Sequence, residues 1–289
     1  MAVIDAHIHL STISSFASTA KQHSLVDYTY QGLIREMDQN DIDLAVGMGV
    51  REFEGGEGFP DSSPNTPMGL DLIPAKEKGR RTAECVGINP YRVGRRNMPA
   101  LEAALLEPYT VGIKIYLGYY PFYAFDDVYA PVYDLAASFD LPVVFHTGDT
   151  FSTRGLLKYA HPLTIDEVAV KHPRNRFVMA HLGDPWMLDA AEVLYKNPNV
   201  FADLSGLMVG DTQELKRIRS TPHFFDHFKH ALAFCDRPDK LMFGTDWPLT
   251  PIAPYMDFID HHVPAGSRND IFGDTALHVF SKLKCLIRK

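Results

Sequence analysis

The stretch VIDAHIHL, residues 3–10, decides how the rest of the chain is read. It is an apolar run in which Asp5, His7 and His9 fall at every second position. In a strand successive side chains point to opposite faces, so these three share one face while Ile4, Ala6, Ile8 and Leu10 share the other. Burying such polar groups without partners costs free energy. Either something binds them, or they form a satisfied polar cluster without chemistry. No Gly-rich phosphate loop follows residue 9, so an open doubly wound sheet fits less well than a closed parallel barrel.

Working outward, short apolar runs recur near 43–49 (DLAVGMG), 84–89 (ECVGIN), 110–117 (TVGIKIYL), 141–146 (LPVVFH), 176–181 (RFVMAH), 200–205 (VFADLS) and 241–246 (LMFGTD). With residues 3–9 these make eight candidate strands. The spacers carry helix signals over 33–42, 126–140, 163–172 and 185–197. Thr164 with Glu167 has the spacing of a capping box, and Pro173 closes that helix. Strand and helix in alternation predict an α/β fold, a single (β/α)8 barrel domain of the TIM type over 1–289 with long loops after its strands. The Gly-, Pro- and Ser-rich stretch 51–81 falls after the second strand and reads as a mobile lid over the active face. Its GGEG at 55–58 lacks the Lys-Ser/Thr pair of a phosphate loop.

Hydrophobic residues at 46% and charged residues at 22% are an ordinary globular balance with ample core. A net charge of -8, and basic runs no longer than Arg80-Arg81 and Arg95-Arg96, argue against nucleic acid as a partner. No apolar run reaches membrane-span length and residues 1–10 hold no signal-peptide core, so no membrane association and a cytoplasmic location are expected. Cys85, Cys235 and Cys285 lie far apart and suit a reducing compartment, with no disulfide framework.

Active sites of such barrels are built from the C-terminal strand ends. There the chain places His146 (VVFHTGD), His181 (VMAHLGD) and Asp246 (MFGTDWP) on the fifth, sixth and eighth candidate strands. Alternation sets Lys114 of the fourth strand opposite Val111, Ile113, Ile115 and Leu117, hence pointing into the barrel, with His146 in register with Val144 and His181 with Met179. A buried ammonium must be paired or neutralised. It either forms a salt bridge to Asp246 or Asp203, or reacts with carbon dioxide to give a carbamate able to bridge two metal ions. Imidazole and carboxylate together suit zinc and similar divalent ions, manganese and iron included.

These residues resemble the amidohydrolase superfamily. The D-x-H-x-H of the first strand, the lysine of GIKIY, the histidines closing strands five and six, and the aspartate of GTDWP carry the likeness. The nearer branch is that of the amidohydrolase-related metal-dependent hydrolases, which also holds aminocarboxymuconate semialdehyde decarboxylase and its relatives. AHLGDPWMLDAAEVLYKNPNVFADLSG at 180–206 is similar to a segment of that branch. The resemblance implies that His7 and His9 hold one metal and that Asp246 lies beside the metal-bound water as base. In binuclear members a carboxylated lysine, here Lys114, bridges to a second metal held by His146 and His181. In mononuclear members His146 joins His7, His9 and Asp246, and His181 is free as acid or base. Two departures are Gly183-Asp184 where a glycine pair is usual, and Thr275 in GDTALHVF where asparagine is usual.

A divalent ion lowers the pKa of bound water from about 15.7 towards about 7, so hydroxide is available at neutral pH. Hydrolysis of an amide, lactone or ester of a small molecule is the expected reaction, because Lys114 stands where the resemblance puts the bridging lysine of the binuclear hydrolases. Non-oxidative decarboxylation of a carboxylated substrate is the alternative, and a silent binding barrel a third reading. Arg51 at the start of the long loop suits a substrate carboxylate, though a surface role is open to it too. Tyr116, Tyr119 and Tyr120, with Trp186 and Trp247, would shape an aromatic pocket or serve as packing. Asp203 beside Ser205 is a candidate to orient a ligand histidine, and Asp5 the expected orienting partner of the His7/His9 pair. HFFDHFKH at 223–230 imitates an inverted zinc-protease motif but carries Asp226 where glutamate belongs, so a solvated histidine face is expected there. A homodimer would suit the family's habit.

Overall fold

The computed structural model describes residues 2–52, 58–63 and 65–287. Within them eight parallel strands form one sheet in sequential order: β1 (Ile4–Ile8), β2 (Leu44–Met48), β3 (Thr82–Ile88), β4 (Thr110–Ile115), β5 (Val143–Phe145), β6 (Phe177–Met179), β7 (Val200–Asp203) and β8 (Leu241–Met242). The ring closes through hydrogen bonds between the ends of β8 and β1, Ala6 N to Phe243 O (2.9 Å), Asp246 N to His7 O (2.8 Å) and His9 N to Trp247 O (2.6 Å). With helices in the connections, this is the (β/α)8 barrel expected from the alternation.

Two apolar layers hold it. One packs Ile8, Ile113, Phe145, Met179 and Phe243 against helix residues such as Leu33, Val132 and Leu194. The other gathers Ile4, Ala6, Val46, Val111, Val144 and Phe201 inside the ring with Ala276 and Leu283 of the C-terminal helices Thr275–Val279 and Leu283–Ile287 and with Phe280 between them. Strict alternation misassigns two places. Ile4 and Ala6 face the inner layer but Ile8 and Leu10 the outer one, because the β1–β2 register shifts between Asp5 and Ile8. Val111 likewise sits inside while Ile113, Ile115 and Leu117 pack outside, since the β3–β4 register shifts between Glu84 and Cys85. Such irregularities re-aim side chains locally.

The helix expected over 33–42 runs Tyr30–Gln39, begun by Thr29, whose hydroxyl accepts from Gly32 N, and ended at Asn40 before Asp41 turns left-handed (φ 53°). Thr164 and Glu167 form no capping box. The helix runs Leu163–Lys171 with Pro162, not Thr164, at its N-cap, and the Thr164 hydroxyl donates to His161 O (2.9 Å). Of the stretch 51–81, residues 53–57 and 64 lie outside the described residues, and with them most of GGEG. The remainder joins the barrel edge, where Met68 pairs with Gly87 and Leu70 N donates to the buried Glu84 carboxylate (3.1 Å). No described helix is long and apolar enough to cross a membrane.

Candidate metal centre

The C-terminal strand ends converge. His7 on β1 is fully buried, and its Nδ1 bonds Asp203 Oδ2 of β7 (2.8 Å), which fixes the ring with Nε2 directed elsewhere. That Nε2 lies 3.5 Å from Asp246 Oδ1, and His9 Nε2 lies 3.1 Å from the same oxygen. Neither His7 Nε2 nor Asp246 Oδ1 has a hydrogen-bond partner among the described residues. Donor atoms of His7, His9 and Asp246 all fall within 4.8 Å of one another. Buried nitrogen and carboxylate donors aimed at one point, with no partner of their own, fit a divalent cation.

Electrostatics agree. Burial pushes the Asp246 carboxyl up, but His9, His181 and His7 outweigh it and hold the group below the usual carboxylate range. Asp203, also buried, is held low by His7 and His181. His7, His146 and His181 are pushed down by burial, so they stand neutral at pH 7 with a nitrogen lone pair to give.

Asp203 does more than orient His7. Its Oδ1 accepts from His181 N (3.0 Å) and from the Ser205 hydroxyl (2.5 Å), and Ser205 Oγ and O lie 2.9 and 3.1 Å from His181 Nδ1. One carboxylate therefore sets two histidines from different strands. Asp5, expected in that office, accepts instead from His7 N (3.2 Å), Thr245 N (3.0 Å) and the Thr245 hydroxyl (2.6 Å). It ties β1 to the loop that carries Asp246, and burial pushes its pKa up to about 7 against those donors.

His181 and Asp246 reach the centre by backbone kinks. Both have left-handed φ, 62° and 63°. Non-glycine residues there are strained, and such strain gathers at functional sites. The kink also explains why the pairing of His181 with Met179 fails: Met179 ends β6 facing the outer layer, and the chain turns at His181 before its ring points inward. Gly206 (φ 69°) makes room for both, since a Cβ there would stand 2.7 Å from His181 Nδ1 and 3.0 Å from Asp246 Oδ2.

Lys114 is 1% exposed, and its Nζ has no hydrogen-bond partner among the described residues. The salt bridge to Asp246 or Asp203 considered for it does not form within 4 Å. Burial pulls its pKa down to about 8, which those two carboxylates offset only in part. His146 stands with its ring 5.0 Å from that of His181, and its Nε2 lies 2.8 Å from Asp149 O.

Of these groups His9, Lys114, His146, His181 and Asp246 line the floor of a cavity of about 200 Å³ opening between the strand ends, with His7 and Asp203 behind them. Tyr116 and Tyr119 line it too; the Tyr116 hydroxyl donates to Gly49 O (3.0 Å), and that of Tyr119 accepts from Phe151 N (2.9 Å). Four residues singled out in the sequence stand elsewhere, among them Trp186, whose ring lies 5.0 Å from that of His161 and outside the lining. Arg51 is exposed, with a guanidinium nitrogen 3.4 Å from Asp71 Oδ1, and does not reach the cavity. Trp247 is wholly buried, its indole N–H donating to Glu36 (3.0 Å), and Tyr120 packs behind the wall. The histidines of 223–230 form no metal cluster among the described residues: His223 pairs with Asp226 (2.7 Å) and His227 with Asp184 (3.0 Å). Asp149, Asp184 and Phe16 line the cavity without having been singled out as binding groups, because nothing local marks a loop residue as facing a site.

Comparison with curated proteins finds no match. Among solved structures the chain is similar to a probable 2-pyrone-4,6-dicarboxylic acid hydrolase from Acinetobacter baumannii (TM-score 0.63, 16% identity, 97% of this chain and 100% of that one). It is similar also to 5-carboxyvanillate decarboxylase from Sphingomonas paucimobilis (0.60, 15%, 97% and 99%). A third is an amidohydrolase from Burkholderia multivorans with bound zinc (0.63, 17%, 97% and 99%). At these identities the likeness shows a shared fold. The amidohydrolase family model matches residues 4–282, nearly the whole chain. With that match over a barrel whose strand ends gather His7, His9, His181 and Asp246, the chain belongs to the amidohydrolase family.

Proposed function

We propose that this protein is a divalent-metal-dependent hydrolase that cleaves an amide, lactone or ester of a small molecule with water. The observation that carries the reading is Lys114, a buried amine with no hydrogen-bond partner among the described residues, at the floor of the same cavity as His9, His146, His181 and Asp246. His7, His9 and Asp246 would hold the ion, zinc by the chemistry of the donor set, and Lys114 as its carbamate, with His146 and His181, a second. A divalent ion supplies Lewis acidity there and makes water acidic enough to yield hydroxide near neutral pH.

The chain's own groups do the rest. Asp246, ionised and facing the cavity, accepts the proton of the attacking water and returns it to the leaving atom. In a one-ion site His181, neutral and held through Nδ1 by Ser205, would keep Nε2 for the same exchange. Tyr119 still has its hydroxyl proton to donate to substrate, because the oxygen only accepts from Phe151 N. Tyr116 offers its ring as wall.

Decarboxylation of a carboxylated ring is the second reading, favoured by a specific feature. His146 directs Nε2 at a main-chain carbonyl, and among the described residues the two tight donor groups, His7 with His9 and Asp246 and His7 with His181 and Asp203, both leave His146 out, as a one-ion site would have it. The metal content of protein grown with zinc and bicarbonate separates the two. Two equivalents per chain, falling to one in Lys114→Ala, is the expected result. One equivalent unaffected by that change would transfer the assignment to decarboxylation, and no metal in folded protein would end both.

A further inference from the structure

We propose that the cavity selects substrates whose end remote from the metal ligands is an uncharged or cationic ring, and discriminates against those with a second carboxylate at that end. The inference rests on the metal-centre reading above and assigns its substrate class. That a ligand enters here is indicated by the floor itself, where Lys114, 1% exposed, lines the cavity with an unpartnered Nζ.

The walls nearest the floor are aromatic. Phe16 packs on His9 with ring centres 4.5 Å apart, and Tyr119 meets His146 edge-on at 4.9 Å. Two further lining groups are carboxylates, the exposed Asp149 and the half-buried Asp184, which by that exposure stand nearer the mouth than the buried His146 and Asp246. Lys114 is the sole lysine or arginine lining the cavity among the described residues, and it belongs to the floor. Residues 53–57 read FEGGE and contain neither. Arg51 lies beside Asp71, and Arg154 lies over the Phe59 ring at 4.8 Å, both outside the lining.

The two carboxylates are fixed in place. Asp184 holds His227 Nε2 through Oδ1 (3.0 Å), and its carbonyl accepts from Asp149 N (2.8 Å), which ties the two segments together. Asp149 Oδ1 accepts from Thr150 N (2.9 Å). Among the described residues the second oxygen of each has no hydrogen-bond partner and is left for a donor. A substrate carboxylate brought between them would lose water and gain only like-charge neighbours, with no guanidinium to offset the loss. An amide, hydroxyl or ammonium on the ring would donate to them, by hydrogen bonds that a charged acceptor strengthens.

The test is calorimetric titration of the zinc-loaded full chain with three benzohydroxamic acids, anchored alike and bearing carbamoyl, aminomethyl or carboxyl at the para position. The carboxyl compound should bind roughly tenfold more weakly than the carbamoyl one at low salt, the gap closing as salt rises. The aminomethyl compound should bind at least as well as the carbamoyl one. Asp149→Asn, at an exposed site where folding is not at stake, should narrow the gap, and Asp149→Asn with Asp184→Asn should remove most of it. Equal or tighter binding of the carboxyl compound, or a gap that both variants leave intact, overturns the proposal. So does failure of all three to bind protein that carries zinc. Failure to take up zinc at all overturns instead the reading on which the proposal stands, and the proposal falls with it.

Discussion

Lys114 shows what a single side chain asks of the barrel. An amine wholly buried without a partner is unfavourable as an ammonium, and its pKa of about 8 records that. Only the neutral amine reacts with carbon dioxide. At a fixed concentration of dissolved carbon dioxide, recovery of metal content in stripped protein should therefore accelerate as pH rises through about 8 and level off above it, whereas an ordinary lysine would keep gaining to about 10.5. The stability sign follows. Between about 8 and 10.5 the unfolded chain binds more protons at this site than the folded one, so metal-free protein should gain stability across that window. Lys114→Met should abolish the gain and, at pH 7, raise stability by roughly 2 kcal/mol in urea titrations. Asp203 makes the opposite demand. It holds His7 Nδ1 and, through Ser205 and its own contact with His181 N, the sixth-strand histidine. Asp203→Asn should weaken zinc binding by about 10–100-fold, read by chelator competition, while far-ultraviolet circular dichroism stays unchanged.

At the scale of elements the site depends on where strands stop being strands. β6 ends at Met179 and β8 at Met242, so the residues that follow are free to kink, and His181 and Asp246 do so with left-handed backbones. The loop after β7 closes over both at Gly206, where there is no space for a Cβ. Gly206→Ala should cost about 1–2 kcal/mol for the backbone alone. It should also displace His181 and Asp246, so that zinc affinity and any turnover fall far more than the thermal midpoint does. A fall in midpoint with zinc affinity intact would show that the loop has room to give. Asp5 acts at this scale as well, joining β1 to the Thr245 turn across the ring closure.

For the whole molecule the two ends of the barrel divide the work. The C-terminal ends hold polar groups and a cavity, and the interior below is filled by apolar side chains, among them Leu283 of the last helix and Phe280 of the link before it. Leu286 lies with Val3, Asp43 and Leu44 at the N-terminal strand ends, which places that helix opposite the cavity. Phe280→Ala should cost about 3–5 kcal/mol of unfolding free energy, since the plug cannot refill the volume. Metal stoichiometry in the folded fraction should not change. Loss of zinc at concentrations of urea where the fold persists would show instead that the two ends are coupled.

The sequence by itself determined the eight strands, their alternation with helices, and the kinds of side chain that close strands one, four, five, six and eight. Those features are local, written in apolar periodicity and in residue identity at a few positions, and the strands are found within a few residues of where they were expected. Only the tertiary structure decided which carboxylate orients which histidine. Asp5 is two residues from His7 and bonds its main chain, while Asp203, 196 residues away, holds its ring. Nor could alternation aim His181, Val111 or Ile8, because register shifts and a left-handed residue break the two-residue period at those points. Arg51, on the exposed rim, and Trp247, in the core, likewise took their places from packing between elements far apart in the chain.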